Sequence, residues 1–139
     1  MTVSQISVFT ESKPGHLLRV LKVFESAGVN VRGYAVSDTG EYGIARFIVD
    51  DPDAATEALR QNGSAFTTTD VICIRLDDVP GELARIMGVL ASCGINILYS
   101  YSMISTYIVI KASDVEAARK ILEKEPIDIV SQSDISAIR

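Results

Sequence analysis

KPGHLLR, at residues 13–19, is the first of two copies of a segment that recurs as VPGELAR at residues 79–85. Pro14 and Pro80 lie 66 positions apart, and the same offset aligns further residues downstream, among them Gly28 with Gly94 and Asn30 with Asn96. A repeat sustained over this distance indicates two copies of one structural unit. We therefore predict two domains, residues 1–69 and residues 70–139.

The offset changes at one place, between the middle strands of each copy. Residues 37–41 of the first copy form a turn-rich cluster, where the second copy has only residues 103–105. A difference in length is tolerated best in the loop of a hairpin. We interpret residues 37–41 as such a loop.

Each copy has the residue pattern of strand, helix, strand, strand, helix, strand. Apolar residues alternate in the first strands, around Ile6 and Ile72, which predicts burial mainly on one face. Leu17, Val20, Leu21 and Phe24 have helical spacing, as do Leu83, Ile86, Met87 and Leu90. The remaining strands are predicted at residues 31–37, 42–49 and 65–68, and at residues 97–103, 106–111 and 127–131.

This order predicts an α+β fold of two ferredoxin-like βαββαβ units, each with an antiparallel sheet and both helices on one face. Asp51-Pro52 predicts the start of one second helix, and a capping box of Ser113 and Glu116 predicts the start of the other. Residues 134–139 resemble the opening strand of the second copy. We expect this C-terminal segment to pair with a sheet, with the first copy as one candidate.

Composition excludes several classes of function. The 139 residues include 47% apolar and 22% charged residues, which is typical of a globular protein. Thirteen Lys and Arg against 18 Asp and Glu give a net charge of −5, and no basic stretch with interleaved aromatic residues is present. We expect neither nucleic-acid binding nor a membrane-spanning segment.

The cysteines and the N-terminal residues bear on the cellular compartment. Cys73 and Cys93 stand apart in apolar surroundings, so we interpret both as reduced residues of the core. The first nine residues lack the basic and apolar regions of a secretion signal. We expect a cytoplasmic protein.

The turns before the first helix of each copy are the most distinctive local feature. Pro14 and Pro80 suit the first helical turn, which places Gly15 and Gly81 at the second helical position. The start of a helix offers free amides and a positive partial charge to a carboxylate, and glycine lets a ligand approach the backbone. The alternative is that Pro-Gly only starts a helix efficiently.

Asn30 and Asn96 follow Gly28 and Gly94, which suit the left-handed residue that ends a helix. A side-chain amide both donates and accepts, so it suits a ligand that carries an ammonium and a carboxylate. The alternative is that each Asn only hydrogen-bonds its own turn.

Pro-Gly before an apolar helix that ends in Gly-Val-Asn or Gly-Ile-Asn, within a βαββαβ order, resembles the ACT domain, and the resemblance covers nearly the whole chain twice. It implies that the domains pair side by side into a continuous sheet and bind amino acids at the domain interface, in a regulatory role. It also implies a homodimer. The ligand-binding residues that it implies are Ser12, Gly15, Asn30, Asp78, Gly81 and Asn96, flanked by His16 and Glu82.

The residues at the two implied sites differ. Serine-sensing members of the ACT family often have Asn where this chain has Ser12 and Asp78. Asp78 can accept a hydrogen bond from an ammonium, whereas Ser12 offers a weaker, neutral bond. We therefore expect two pockets that are potentially unequal.

An enzymatic function has little support in the sequence. A hydrolytic site needs a nucleophile, a base and an orienting group, and His16 is the only histidine. No phosphate loop and no metal-ligand spacing is present, so we expect no catalytic residue, cofactor or metal. Three hypotheses stay open: an amino-acid sensor, a regulatory subunit of a separate biosynthetic enzyme, as the acetolactate synthase small subunit is in a related ACT family, and an unrecognised enzyme.

Overall fold

The structure is a computed structural model that describes residues 1–38 and 40–138. It contains two compact units. The first unit comprises Ser4–Thr69 and the chain from Ile135 onward, and the second comprises Met1–Val3 and Asp70–Asp134. The units therefore differ from the predicted domains at both ends of the chain.

The first unit contains three strands, the beginning of a fourth, and two helices. Strand β1 pairs antiparallel with β3, and β3 pairs antiparallel with β2 on its other side. The amide of Phe9 also donates to the carbonyl of Ala65, 2.9 Å away, just before the fourth strand. The elements are β1 (Val3–Glu11), α1 (His16–Ser26), β2 (Val31–Asp38), β3 (Tyr42–Val49), α2 (Pro52–Gln61) and β4 (Phe66–Arg75).

The second unit repeats this arrangement. The later part of β4 is its first strand, and it pairs antiparallel with β6 on one side and with β7 on the other. Strand β5 pairs with β6 at the outer side of this sheet. The elements are α3 (Glu82–Ser92), β5 (Ile97–Ser102), β6 (Tyr107–Ala112), α4 (Val115–Glu123), β7 (Asp128–Val130) and a short helix α5 (Gln132–Ser136). The predicted α+β fold of two ferredoxin-like units is confirmed.

The core of each unit lies between its sheet and its two helices. In the first unit Phe24 of α1 meets Phe47 of β3 edge-to-face, with ring centroids 5.1 Å apart. Leu59 of α2 belongs to the same buried cluster. In the second unit Ile86 and Leu90 of α3 and Leu122 of α4 cover Ile72, Ile74 and Ile110 of the sheet. Both helices of each unit thus pack on one face, as predicted.

The first strands are buried on both faces, which the alternation did not predict. Gln5 and Ser7 of β1 are 0% and 7% exposed, and Val71 and Cys73 of β4 are both 0% exposed. Gln5 donates from Nε2 to the Ser7 hydroxyl at 3.2 Å, which partly compensates for the burial of these polar groups. A central strand flanked on both edges and covered on both faces needs no polar face.

The predicted capping box at the start of α4 is wrong. The N-cap is Asp114, which accepts a hydrogen bond from the amide of Ala117 at 3.0 Å. Glu116 points instead to Arg119, at 2.7 Å. The amide of Ser113 donates to the carbonyl of Asn96 at 2.8 Å. Asp51 caps α2 in the equivalent way, with the amide of Ala54 as donor at 3.0 Å.

Residues 134–136 of the C-terminal segment lie in helix α5 and not in the predicted strand, and Arg139 lies outside the described residues. The Ser131 hydroxyl accepts from the amide of Asp134 at 3.1 Å, and the Asp134 carboxylate accepts from the amide of Ser131 at 3.0 Å. This reciprocal pair is a capping box, which starts a helix. The pKa of Asp134 is lowered by its hydrogen bonds from the amide and the hydroxyl of Ser131. The box therefore explains why alternating apolar residues do not form a strand here.

The last residue of α5 and Ile138 are hydrogen-bonded to other parts of the first unit. The Ser136 hydroxyl donates to the carbonyl of Asp50 at 2.5 Å, and Arg32 donates from Nη2 to the carbonyl of Ile138 at 2.5 Å. The first copy is therefore the partner of the C-terminal segment, through side chains and not through strand pairing.

The two cysteines differ in burial. Cys73 is buried, as predicted, and burial raises the pKa of its thiol to about 12. Cys93 is exposed, so its predicted place in the core is wrong. It is the C-cap residue of α3, one position before Gly94, where the chain has already left the apolar face of the helix.

Candidate functional site

The Pro-Gly turns have one geometry in both units, and it differs from the predicted one. Gly15 has φ 89° and ψ −9°, and the amide of His16 donates to the carbonyl of Lys13 at 3.3 Å. This is a type II turn, which favours proline at its second position and requires glycine-like φ at its third. Gly15 is therefore the N-cap of α1, and Pro14 lies before the helix instead of within it.

The second unit repeats the turn. Gly81 has φ 86° and ψ −7°, and the amide of Glu82 donates to the carbonyl of Val79 at 3.4 Å. Turn geometry alone thus accounts for the proline and the glycine. It does not account for the free helix starts: among the described residues no side chain caps α1 or α3, whereas aspartates cap α2 and α4.

A carboxylate lies beside the turn of the first unit. The Ser12 hydroxyl donates to Oδ2 of Asp38 at 2.5 Å, and the amide of Gly40 donates to Oδ1 at 2.6 Å. These two hydrogen bonds, first that of Ser12, lower the pKa of Asp38. Asp38 was missed at the sequence level because the length difference had marked residues 37–41 as a variable loop.

The second unit places its carboxylates differently. Asp78 and Glu82 line a cavity of about 280 Å3, together with Ser105 and Thr106 of the β5–β6 hairpin. Arg85 binds both carboxylate oxygens of Glu82, at 2.6 and 3.2 Å, and this hydrogen bonding lowers the pKa of Glu82. Asp78 and its neighbour Asp77 are therefore the carboxylates of this cavity that have no ion pair among the described residues.

His16 lines another cavity, of about 260 Å3, between β1, α1 and the loop that follows α2. Its neighbours there include Glu11, Arg19 and Ser64. Ser12 and Gly15 do not line this cavity. His16 is next to the turn in the sequence. The cavity that it lines, however, faces the loop that follows α2.

Asn30 and Asn96 lie at the opposite end of their units from the turns. In the first sheet Glu11 is opposite Tyr42, and Val31 is opposite Val49, the other end of β3. The 11 residues of α1 separate the turn from Asn30, which corresponds to about 16 Å. The turn and the asparagine of one unit therefore cannot hold the same small molecule.

The fold uses the backbone of the two asparagines and leaves their side chains exposed. The amide of Asn30 donates to Oδ1 of Asp50 at 2.8 Å, and its carbonyl accepts from the amide of Asp50 at 3.1 Å. The carbonyl of Asn96 accepts from Ser113. Neither side-chain amide makes a hydrogen bond within the described residues. The alternative that each Asn fixes its own turn through its side chain is therefore not what the structure shows.

The predicted glycines at the helix ends are confirmed. Gly28 and Gly94 have φ of 70° and 74°. The amide of Gly28 donates to the carbonyl of Glu25 at 3.1 Å, and that of Val29 to Phe24 at 2.9 Å, which is a Schellman motif. The motif turns the chain so that Asn30 leads into β2.

Two negative findings concern residues 1–38 and 40–138. They contain no group of three or more His, Cys, Asp or Glu side chains arranged to hold a metal ion. None of their helices is long and apolar enough to cross a bilayer.

Comparison with known proteins identifies relatives of the whole chain. Residues 1–139 match the family described as ACT domain pair. The structure of protein BT0572 from Bacteroides thetaiotaomicron is 33% identical, with a TM-score of 0.94, and the match covers 99% of this chain and 98% of that one. A comparison with curated proteins returned no match.

Two more distant structures share the fold. The ligand-free regulatory subunit of aspartate kinase from Thermus thermophilus is 22% identical, with a TM-score of 0.61 over 87% of this chain and 90% of that one. A structure of aspartokinase alpha and beta subunits is 20% identical, with a TM-score of 0.58 over the same shares, 87% and 90%.

Proposed function

This chain belongs to the ACT domain pair family, and we propose that it is a non-catalytic regulatory protein that binds a free amino acid. One observation carries the proposal. Asn30 and Asn96 occupy equivalent positions, and both side-chain amides are exposed and unused by the fold. Their backbone hydrogen bonds would be available to any residue, so the fold gives no reason for asparagine at either position.

The chemistry around the turns suits a zwitterion. Within the described residues helices α1 and α3 begin without a side-chain cap, so the amides that follow those of His16 and Glu82, and the positive dipole ends, are available to a carboxylate. Each turn also has a carboxylate that can attract an ammonium: Asp38, which Ser12 orients, in the first unit, and Asp78 in the second. The proposed ligand-binding residues are Ser12, Gly15, His16, Asn30, Asp78, Gly81, Glu82 and Asn96, and we add Asp38.

We propose that the ligand binds between two ACT domains. Because the turn and the asparagine of one unit lie about 16 Å apart, a complete site combines the turn of one domain with the asparagine of a neighbouring domain. A site of this kind links ligand binding to domain association, which is a general basis for regulation.

Asparagine variants test the proposal. We expect Asn96→Ala to weaken binding of the amino acid at least about tenfold, because two or more hydrogen bonds to a charged ligand are lost. The melting temperature of the free protein should stay nearly unchanged, because the side chain has no partner in the fold. Asn30→Ala reports on the other site in the same way.

Gln61→Ala is a matched control, because Gln61 is an exposed side-chain amide of α2 that hydrogen-bonds Glu57 locally at 3.2 Å and lines neither the His16 cavity nor the Asp78 cavity. If Asn96→Ala lowered the free energy of unfolding as much as the free energy of ligand binding, Asn96 would have a purely structural role.

We also propose that the protein forms a homodimer. Strand β2 is the outermost strand of the first unit's sheet, and Tyr34 and Val36 on it are 59% and 49% exposed. Exposed apolar side chains on an edge strand, which has a partner strand on one side only, favour pairing with another chain. Multi-angle light scattering should give twice the mass of the chain, and a monomer at about 50 μM protein, well above typical dissociation constants of stable dimers, would contradict the dimer.

A second candidate function is that of a regulatory subunit of a separate amino-acid biosynthetic enzyme. The observation that favours it is architectural: the chain is a domain pair that covers 90% of the aspartate kinase regulatory subunit of Thermus thermophilus. Affinity purification from the native cells should then recover a larger catalytic chain at a stoichiometric ratio. Recovery of the tagged protein alone would favour the stand-alone sensor.

The remaining proposals concern the absence of catalysis and the compartment. His16 lies beside Glu11, Arg19 and Ser64 without a hydrogen-bonded nucleophile among the described residues, so we assign it no catalytic role. Turnover of a substrate that His16→Ala abolishes would overturn this assignment.

Cys93 is a free and exposed thiol, which fits the reducing cytoplasm.

A further inference from the structure

Arg19 of α1 and Arg85 of α3 occupy equivalent positions but have different partners. Arg85 binds Glu82 through two hydrogen bonds, at 2.6 and 3.2 Å, and its Nη1 atom lies 4.0 Å from Glu125. The second unit thus neutralises its arginine with two of its own carboxylates.

The first unit lacks both of these carboxylates. The offset of 66 places His16 at the position of Glu82, and the later offset of 62 places Gly63 at that of Glu125. Arg19 is exposed and makes no ion pair within the described residues. The repeat therefore leaves one guanidinium without the acids that its counterpart has.

A cavity lies where those acids would be. It measures about 260 Å3, and the side chains on its wall that can donate a hydrogen bond are Arg19, His16, Thr10, Asn62 and Ser64. The Ser64 hydroxyl accepts from Asn62 at 2.9 Å, which leaves its own hydrogen free to donate. Glu11 is the one acid on the cavity wall, and Lys13 binds its carboxylate at 2.8 Å.

We propose that this cavity binds a small monocarboxylate, whose carboxylate takes the place beside Arg19 that Glu82 takes beside Arg85. Glu11 is paired with Lys13 at 2.8 Å, and Lys13 acts on the Glu11 carboxylate more strongly than Arg19 does, so the guanidinium of Arg19 is available to one carboxylate of a ligand. A guanidinium fork binds a carboxylate through two parallel hydrogen bonds. The volume limits the ligand to a few carbon atoms, since drug-sized ligands need larger cavities. This cavity lies beside Arg19 and the loop that follows α2, and His16 is the residue that it shares with those proposed for the amino-acid ligand.

Titration with propionate, followed by NMR, tests the proposal. The Nε–H signal of Arg19 should shift and saturate at millimolar propionate, the affinity range of a single charge-assisted contact. The Nε–H signal of Arg85, which Glu82 already occupies, is the control in the same spectrum and should not move. Propionamide, a neutral analogue of the same shape, should shift neither signal.

Two variants separate the site from general anion binding. Arg19→Gln should reduce the propionate affinity, read from the Ser64 amide, at least about tenfold. His16→Glu keeps Arg19 but supplies the acid of the second unit, so it should reduce the affinity similarly. Equal shifts of Arg19 and Arg85, no saturable shift of Arg19, or wild-type affinity in His16→Glu would each overturn the proposal. Asn96→Ala should lose amino-acid binding but keep propionate binding. That result distinguishes a failure of the amino-acid site from a failure of the propionate site.

Discussion

Single residues decide the geometry of the two turns. Pro14 and Pro80 preset the second position of a type II turn, and Gly15 and Gly81 supply the positive φ that its third position requires. The same residues leave each helix with an N-cap that has no side chain. One backbone requirement therefore produces both the turn and the free amides that the proposed ligand needs.

Two glycine substitutions in α3 and its turn should have opposite effects. An alanine Cβ would meet nothing within 4 Å at Gly81 or at Gly88, but only Gly81 has positive φ, 86°. Gly81→Ala should lower the free energy of unfolding by about 1–2 kcal/mol through backbone strain. Gly88→Ala should raise it by roughly 0.5–1 kcal/mol, because alanine is the better helix former. Urea unfolding measures both, and changes of the same sign would contradict the assigned turn.

The pKa of Asp38 offers a second test at this scale. The Ser12 hydroxyl and the Gly40 amide stabilise the ionised carboxylate of Asp38, so the pKa of Asp38 should lie below its usual value of 3.8. Because the folded-state pKa is lowered, the stabilisation is complete above 3.8 and is lost as the pH falls through the folded-state value. Ser12→Ala removes the largest cause, so carbon-detected NMR should show the midpoint move upward. The Asp134 midpoint is the control, and an unchanged Asp38 midpoint would refute the Ser12 contact.

At the scale of elements, the regular helices and strands follow from residue pattern, and the exceptions follow from local hydrogen bonds. The strand β3 was predicted at residues 42–49 and lies at Tyr42–Val49. Helix α5 was missed because its apolar residues alternate as in a strand, while its capping box, Ser131 with Asp134, determines the outcome. That box is readable in the sequence, so this error was avoidable.

Loss of the cap should loosen α5 selectively. In Ser131→Ala the amide of Asp134 loses its acceptor, which should lower the opening free energy of α5 by about 0.5–2 kcal/mol. Hydrogen exchange at the amides of Ile135 and Ser136 measures this change. The amides of α4, which Asp114 caps independently, should keep their protection. Unchanged exchange at Ile135 would show that contacts with the first unit alone hold this helix.

At the scale of the whole molecule, duplication explains what the sequence could and could not predict. The repeat gave the fold class, because a constant offset marks equivalent elements without any knowledge of contacts. Asp38 was not predictable in this way, since the two hairpins differ in length exactly where it lies beside Ser12. Arg85 pairs with Glu82, three residues away on the same helix, and also lies 4.0 Å from Glu125, a contact that only the structure shows.

The duplication also makes the two units unequal. In the first unit the carboxylate beside the turn is that of Asp38, the last residue of β2. In the second unit it is that of Asp78, which belongs to the turn segment itself. Within the described residues the arginine of α1 has no ion pair, while that of α3 is paired with Glu82. One fold therefore offers two different chemical environments for ligands.

The central claim is that this ACT domain pair binds a free amino acid. Isothermal titration calorimetry of the wild-type protein against each of the twenty amino acids tests it most directly. The account predicts saturable heat with at least one of them, at no more than two sites per chain, and loss of that heat when both Asn30 and Asn96 are replaced by alanine. Absence of saturable heat with every amino acid, or binding that the double variant retains in full, would contradict it.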